Sequence, residues 1–197
     1  MNEEDIRKQL EEKNKEIYFN KLKLDFSNNL EVLVLTIDNL LNNIENNAKN
    51  RILNITESFQ NEKIIKENIK EFIENYKEIL MTLLEDKKVN LEQLIKSNLE
   101  LNDYKENLQK SNLNIKEGLN DYYSKNINKL IDNITKLYED QFCNLRITEY
   151  LKNILKEELE GKIMDILSSR DIILLNTFNE TYLKYLELNR NTIGIKN

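Results

Sequence analysis

No proline interrupts this chain of 197 residues, and glycine occurs only at Gly118, Gly161 and Gly194. Proline breaks helices because it lacks the backbone N–H and its ring clashes with the preceding turn. Glycine supplies the positive φ angles of tight turns and helix ends. An average sequence of this length carries about ten prolines and about fourteen glycines. A chain this poor in both runs in long helices and has little means of making anything else. Part of the shortage reflects coding, since 32 asparagines and a single alanine, Ala48, mark the skew of an AT-rich genome. Independent support therefore has to come from the apolar pattern.

That pattern is helical throughout. Phe26, Leu30, Leu33, Ile37, Leu40 and Ile44 step by 4-3-4-3-4, a heptad alternation. The step through Ala48 to Ile52 is a stutter, after which Ile55, Phe59, Ile65, Ile69, Tyr76, Leu80 and Leu83 continue the period. The spacing predicts one helix near 29–86, about 87 Å long at 1.5 Å per residue. Asn28 lies three residues before Glu31, the spacing of a capping box. Ahead of it, Ile6, Leu10, Ile17 and Leu22 mark a shorter helix near 3–24. The polar stretch Glu85–Asn90 reads as the main helix–helix turn, with Asn90 three residues before Gln93.

A second long helix follows near 91–145, with a break at 110–114 where Lys110-Ser111-Asn112-Leu113-Asn114 weakens the pattern. Asn114, three residues before Glu117, would cap the restart and place Gly118 in its first turn. A third helix runs near 148–188, and the tail 189–197 frays. Period-2 alternation is missing, so no sheet is expected. The fold class is all-α: a single elongated antiparallel bundle, coiled-coil-like, over residues 1–197. An internal echo pairs Ile37-Asp38-Asn39-Leu40-Leu41-Asn42-Asn43-Ile44 with Ile127-Asn128-Lys129-Leu130-Ile131-Asp132-Asn133-Ile134, at an offset of 90 residues.

Chemistry is excluded more readily than assigned. The chain has no histidine, which removes Ser-His-Asp and Cys-His catalysis and most zinc sites. Its glycines are too scattered for a phosphate-cradling loop. Carboxylates at helical spacing, such as Glu157, Glu158 and Glu160, read as a solvated face. The single cysteine, Cys143, reads as a small buried or half-buried hydrophobe beside Phe142. No catalytic residue, cofactor or metal ligand is therefore assigned.

Acids and bases are interleaved around a net charge of −6. With no basic patch, nucleic acid is not an expected partner, and nothing polybasic favours anionic lipid. Met1-Asn2-Glu3-Glu4-Asp5 is not the start of a secretory signal, and the apolar runs are too short to span a bilayer, so the expected location is cytoplasmic.

Two groups of residues remain. Phe178, Tyr182 and Tyr185 are the densest aromatic group, either core or a partner-binding spot. Asn98, Asn112 (with Ser111) and Arg170 fall where the period wants a hydrophobe, and buried polar groups can fix register in helical assemblies. The expected function is that of a non-catalytic structural or interaction protein, a scaffold or adaptor binding protein partners through amphipathic faces. A homodimer is the default assembly. The alternative is a membrane-acting helical protein, such as a dynamin-like stalk or a helix-rich pore-forming module.

Overall fold

The computed structural model describes residues 2–56, 61–97, 100–138 and 141–193, apart from the side chains at positions 56, 141–144, 154 and 192–193. Phe59, Asn98 and Gly194 lie outside the described residues, as does the side chain of Cys143. The chain is all-α. Helix α1 spans Glu3–Thr56, α2 Glu62–Ser97 and α3 Leu101–Thr135; α4 (Gln141–Tyr150) continues through a π turn, Leu151–Leu155, into α5 (Lys156–Ile193).

These elements make four antiparallel rods running up, down, up and down. α1 packs on α2 and α5, and α3 packs on the same two. Lys77 meets Asp38 across α1 and α2, Asn133 meets Asn68 across α2 and α3, and Lys116 meets Glu160 across α3 and α5. Each contact joins residues at nearly equal chain distance from the connection between their rods, as antiparallel packing requires. The two segments of the 90-residue echo lie on α1 and α3, the co-directional rods, with Ile37, Leu41, Ile44, Ile127, Ile131 and Ile134 all buried.

The register differs from the expected heptad. Burial follows Leu33, Ile37, Leu41, Ile44, Ala48 and Ile52, steps of 4-4-3-4-4, so Leu41 rather than Leu40 faces the core. In α2 the buried face is Ile65, Ile69, Phe72, Tyr76, Leu80, Leu84, Lys87, Leu91 and Ile95. Steps averaging above 3.6 suit straight or slightly right-handed rods rather than a left-handed supercoil. The fourth rod goes furthest: Ile147, Leu151, Leu155, Leu159, Ile163, Leu167 and Asp171 are buried at every fourth residue. Each step of four overshoots a 3.6-residue turn by roughly 40°. The wide π turn absorbs part of that drift and keeps Leu151 and Leu155 pointing inward. Within it the Lys152 carbonyl accepts a hydrogen bond from Tyr123 Oη at 2.9 Å.

Several expected boundaries are corrected. The break near 24–28 is absent, because Tyr18, Leu22 and Phe26 carry the buried face of α1 unbroken toward Leu33. The helix expected over 29–86 is two helices, reversing between Thr56 and Glu62. Residues 85–90 are helical, not a turn: Glu85, Asp86 and Asn90 lie on the exposed face of α2, and of this stretch Lys87 alone is buried, as described below. The helix expected over 91–145 is divided between Ser97 and Leu101 and ends at Thr135. No break occurs at 110–114, where Ser111 is buried in mid-helix. The boundary near 144–148 is helical, and the irregularity falls at the π turn instead. Asn189–Ile193 of the expected frayed tail continues α5.

Candidate functional site

The core is two clusters. The larger runs from Leu33, Leu84, Ile115 and Leu167 to the opposite end of the bundle. The smaller comprises Phe26, Leu91, Leu108, Leu174 and the residues beyond them. Between them lies a polar layer to which three rods contribute: Lys87 from α2, Ser111 and Asn112 from α3, and Asp171 from α5.

Lys87 is 4% exposed. Its Nζ donates to Asn112 Oδ1 at 2.7 Å and to Asp171 Oδ1 at 2.8 Å. Asn112 Nδ2 donates in turn to Asp171 Oδ2. The three side chains thus close a ring in which both carboxylate oxygens and the amide oxygen accept. Burial pushes the Lys87 ammonium below its ordinary pKa, against the attraction of Asp171. A cleft of about 340 Å³ reaches this layer between α2 and α3, lined by Leu83, Asp86, Lys87, Asn90, Ser111 and Asn114 among others. A nucleophilic amine has to be neutral and free; Lys87 instead spends its protons on Asp171 and Asn112.

Of the polar residues singled out in the sequence, Asn112 therefore joins a buried cluster. Arg170 is half-buried and adjacent to Asp171, whose carboxylate makes the contact. Asn98 lies outside the described residues. Sequence reasoning missed Lys87 and Asp171, although both sit at core spacing: Lys87 three residues past Leu84 and four before Leu91, Asp171 four past Leu167 and three before Leu174.

Beyond the layer the structure brings Phe178, Tyr182 and Tyr185 together with Tyr18 and Tyr104. Tyr104 stacks on Phe178 with centroids 4.4 Å apart, and Tyr18 lies 4.9 Å from Tyr185 and 6.3 Å from Phe178. Phe178 is buried, while Tyr182 and Tyr185 are half-buried. Burial raises the Tyr104 phenol above its ordinary range, with Asp171 and Asp25 adding to the effect. It raises Tyr18 likewise, with Tyr182, Tyr104 and Tyr185 contributing.

This aromatic level coincides with the end of α2 and the start of α3. Among the described residues only α1 and α5 continue past it, joined by a hydrogen bond from Asn14 Nδ2 to Asn189 Oδ1 at 2.9 Å. Residues 3–17 of α1 carry it about 22 Å further. Ile6, Ile17, Leu183, Leu186 and Leu188 are exposed on this two-helix end. Between the helices runs a groove of about 120 Å³, lined by Ile17, Tyr18, Lys21, Lys184, Tyr185 and Leu188 together with Asn14 and Thr181.

The class is thus an up-down-up-down four-helix bundle with one end drawn out into a helix pair. No family model matches the chain, and no curated protein or solved structure matches it either. Among the described residues, no helix is long and apolar enough to cross a membrane.

Proposed function

We propose that the chain is a non-catalytic protein-interaction module, a four-helix body that holds out the α1/α5 end for a partner. One observation carries the reading: past the ends of α2 and α3 an open groove between α1 and α5 is lined by Ile17, Tyr18, Tyr185 and Leu188, of which Ile17 and Leu188 are exposed. Apolar side chains scattered singly over a surface need no explanation, but a contiguous group marks a contact site. The polar layer supports the non-catalytic side of the reading, because its charged groups are engaged with one another.

A photo-crosslinking residue at Leu188, which lines the groove, tests this in the native cells, with Leu113, exposed on the four-helix body, as the control position. Capture of a protein partner at Leu188 and not at Leu113 is the expected result. No adduct at Leu188, or equal adducts at both, overturns the reading.

A further inference from the structure

Resting on the interaction reading, the geometry points to a second copy of this chain as the occupant of the α1/α5 groove, the two copies pairing antiparallel through residues 3–21. Three features of the groove converge on this. The first is spacing. Ile6 and Ile17 are 47% and 51% exposed and lie eleven residues apart on α1. Eleven residues are just over three whole turns, so the two share one stripe, with half-buried Leu10 between them.

The second is charge. The first turn of α1 is acidic, with Glu3, Glu4 and Asp5. The groove is flanked by Lys184 and by Lys21, which also pairs with Asp25 of its own helix at 2.7 Å. When two α1 helices run antiparallel about a two-fold axis beside Leu10 and Asn14, Ile6 of each copy lies against Ile17 and Tyr18 of the other. The same register sets Glu3 of each copy beside Lys21 of the other. One set of residues is thus self-complementary, as a two-fold interface requires.

The third is an unmet polar atom. Tyr18 is 3% exposed and lines the groove, yet its hydroxyl has no hydrogen-bond partner within the chain. Buried hydroxyls are ordinarily paired. Outward rotation of the Tyr18 ring on docking lets this hydroxyl donate to an acceptor on the incoming helix, whose carboxylate next to Ile6 is that of Asp5.

A contact between two helix pairs is small, so the dimer is expected to be concentration-dependent, in the micromolar range. Sedimentation velocity on the full chain over a concentration series is the test. Wild type should move from monomer to dimer, and Ile17→Glu should weaken the dimer tenfold or more. Glu3→Lys and Lys21→Glu should each be largely monomeric alone and should pair when mixed, because the mixture restores both attractions. Circular dichroism confirms that the variants are folded; Glu3 and Lys21 are exposed and outside the core.

Monomer at every concentration overturns the inference. So does a dimer indifferent to Ile17→Glu and to the charge exchange. If the purified chain is monomeric while the crosslinker at Leu188 captures a protein of different mass, the second copy is ruled out as occupant and the interaction reading stands.

Discussion

The larger core cluster and the smaller one are built from different side chains, and the surroundings explain why. The larger is mainly Ile and Leu, enclosed on four sides by rods, so aliphatic groups interdigitate and are fully covered. The smaller sits where α2 and α3 end. Tyr18, Tyr104, Phe178, Tyr182 and Tyr185 close that end with broad rings, which cover more area per residue than an aliphatic group. The closure is incomplete: Tyr182 and Tyr185 remain half-buried and the Tyr18 hydroxyl is unpaired.

The polar layer between the clusters is the sharpest way to break this comparison. Asp171→Ala leaves the Lys87 ammonium buried with only Asn112 for company. It should cost about 3–5 kcal/mol of unfolding free energy in a urea titration, since removing one partner strands the other charge. Replacing the layer with Lys87→Met, Asn112→Leu and Asp171→Leu together should restore stability to the wild-type level or above it. If the layer sets register, the triple variant should gain stability yet lose the sharp, single-species NMR spectrum of the parent. Retention of that spectrum would show that shape complementarity alone fixes the register.

This layer also marks where the sequence stops being legible. Long helices and the all-α class follow from the lack of breakers and from a period sustained over dozens of residues, signals that no single position can spoil. Turns are different. Glu85–Asn90 has the composition of a turn, but it lies in mid-helix between buried Leu84 and Leu91, and its one buried side chain, Lys87, finds its partner Asp171 84 residues away. The reversal between Thr56 and Glu62 is hidden in the opposite way, because Phe59 and Ile65 continue the apolar period across it. Counting in heptads also displaced the seam by one residue, to Leu40 instead of Leu41 and to Arg170 instead of Asp171. A 4-4-3 count finds both buried positions. The aromatic residues of α5 were visible as a group, but their partners Tyr18 and Tyr104 come from other rods and carry no local signal.

The seam itself gives the next prediction. Leu41 is buried in the larger cluster and Leu40 only half-buried against it. Leu41→Ala should cost about 3 kcal/mol through lost transfer energy and the cavity left behind. Leu40→Ala should cost about 1 kcal/mol or less, having less apolar surface to lose. Equal costs would mean that the heptad register, not the 4-4-3 register, describes the packing.

Alkaline titration separates the two clusters by a different chemistry. Tyr18 and Tyr104 in the smaller cluster, and Tyr76 in the larger, have folded pKa values raised above the ordinary value of about 10. Above that pH the unfolded chain releases phenolic protons that the folded chain retains. Their contribution is therefore complete below about pH 10 and is lost as pH climbs through the folded values. Lys87 works in the opposite sense. Its folded pKa is lowered, so the penalty for burying its charge shrinks as pH rises toward the unfolded value of about 10.4. Stability should be flat or rising up to about pH 10 and then fall as tyrosinate absorbance appears. Lys87→Met should remove the rise, and Tyr104→Phe should soften the fall.

The smallest effects compare two glycines in mid-helix. Gly161, on α5, has no heavy atom within 4 Å of where a Cβ would stand apart from its chain neighbours and its own helix backbone. Gly161→Ala should therefore stabilise the chain by about 1 kcal/mol, since alanine restricts the unfolded chain and favours helix. Gly118, on α3, lets the backbone approach α2 so closely that a Cβ would lie 2.7 Å from Leu83 Cδ1. The same helix-propensity gain is opposed there by the displacement of a partly buried leucine. Gly118→Ala should come out near zero or negative, and Gly118→Ala with Leu83→Ala should recover much of what the alanine loses. Thermal unfolding of the two single variants side by side reads the difference. Equal stabilisation would mean that α2 and α3 have room to part at this level, and that the contact between Gly118 and Leu83 does not fix their spacing.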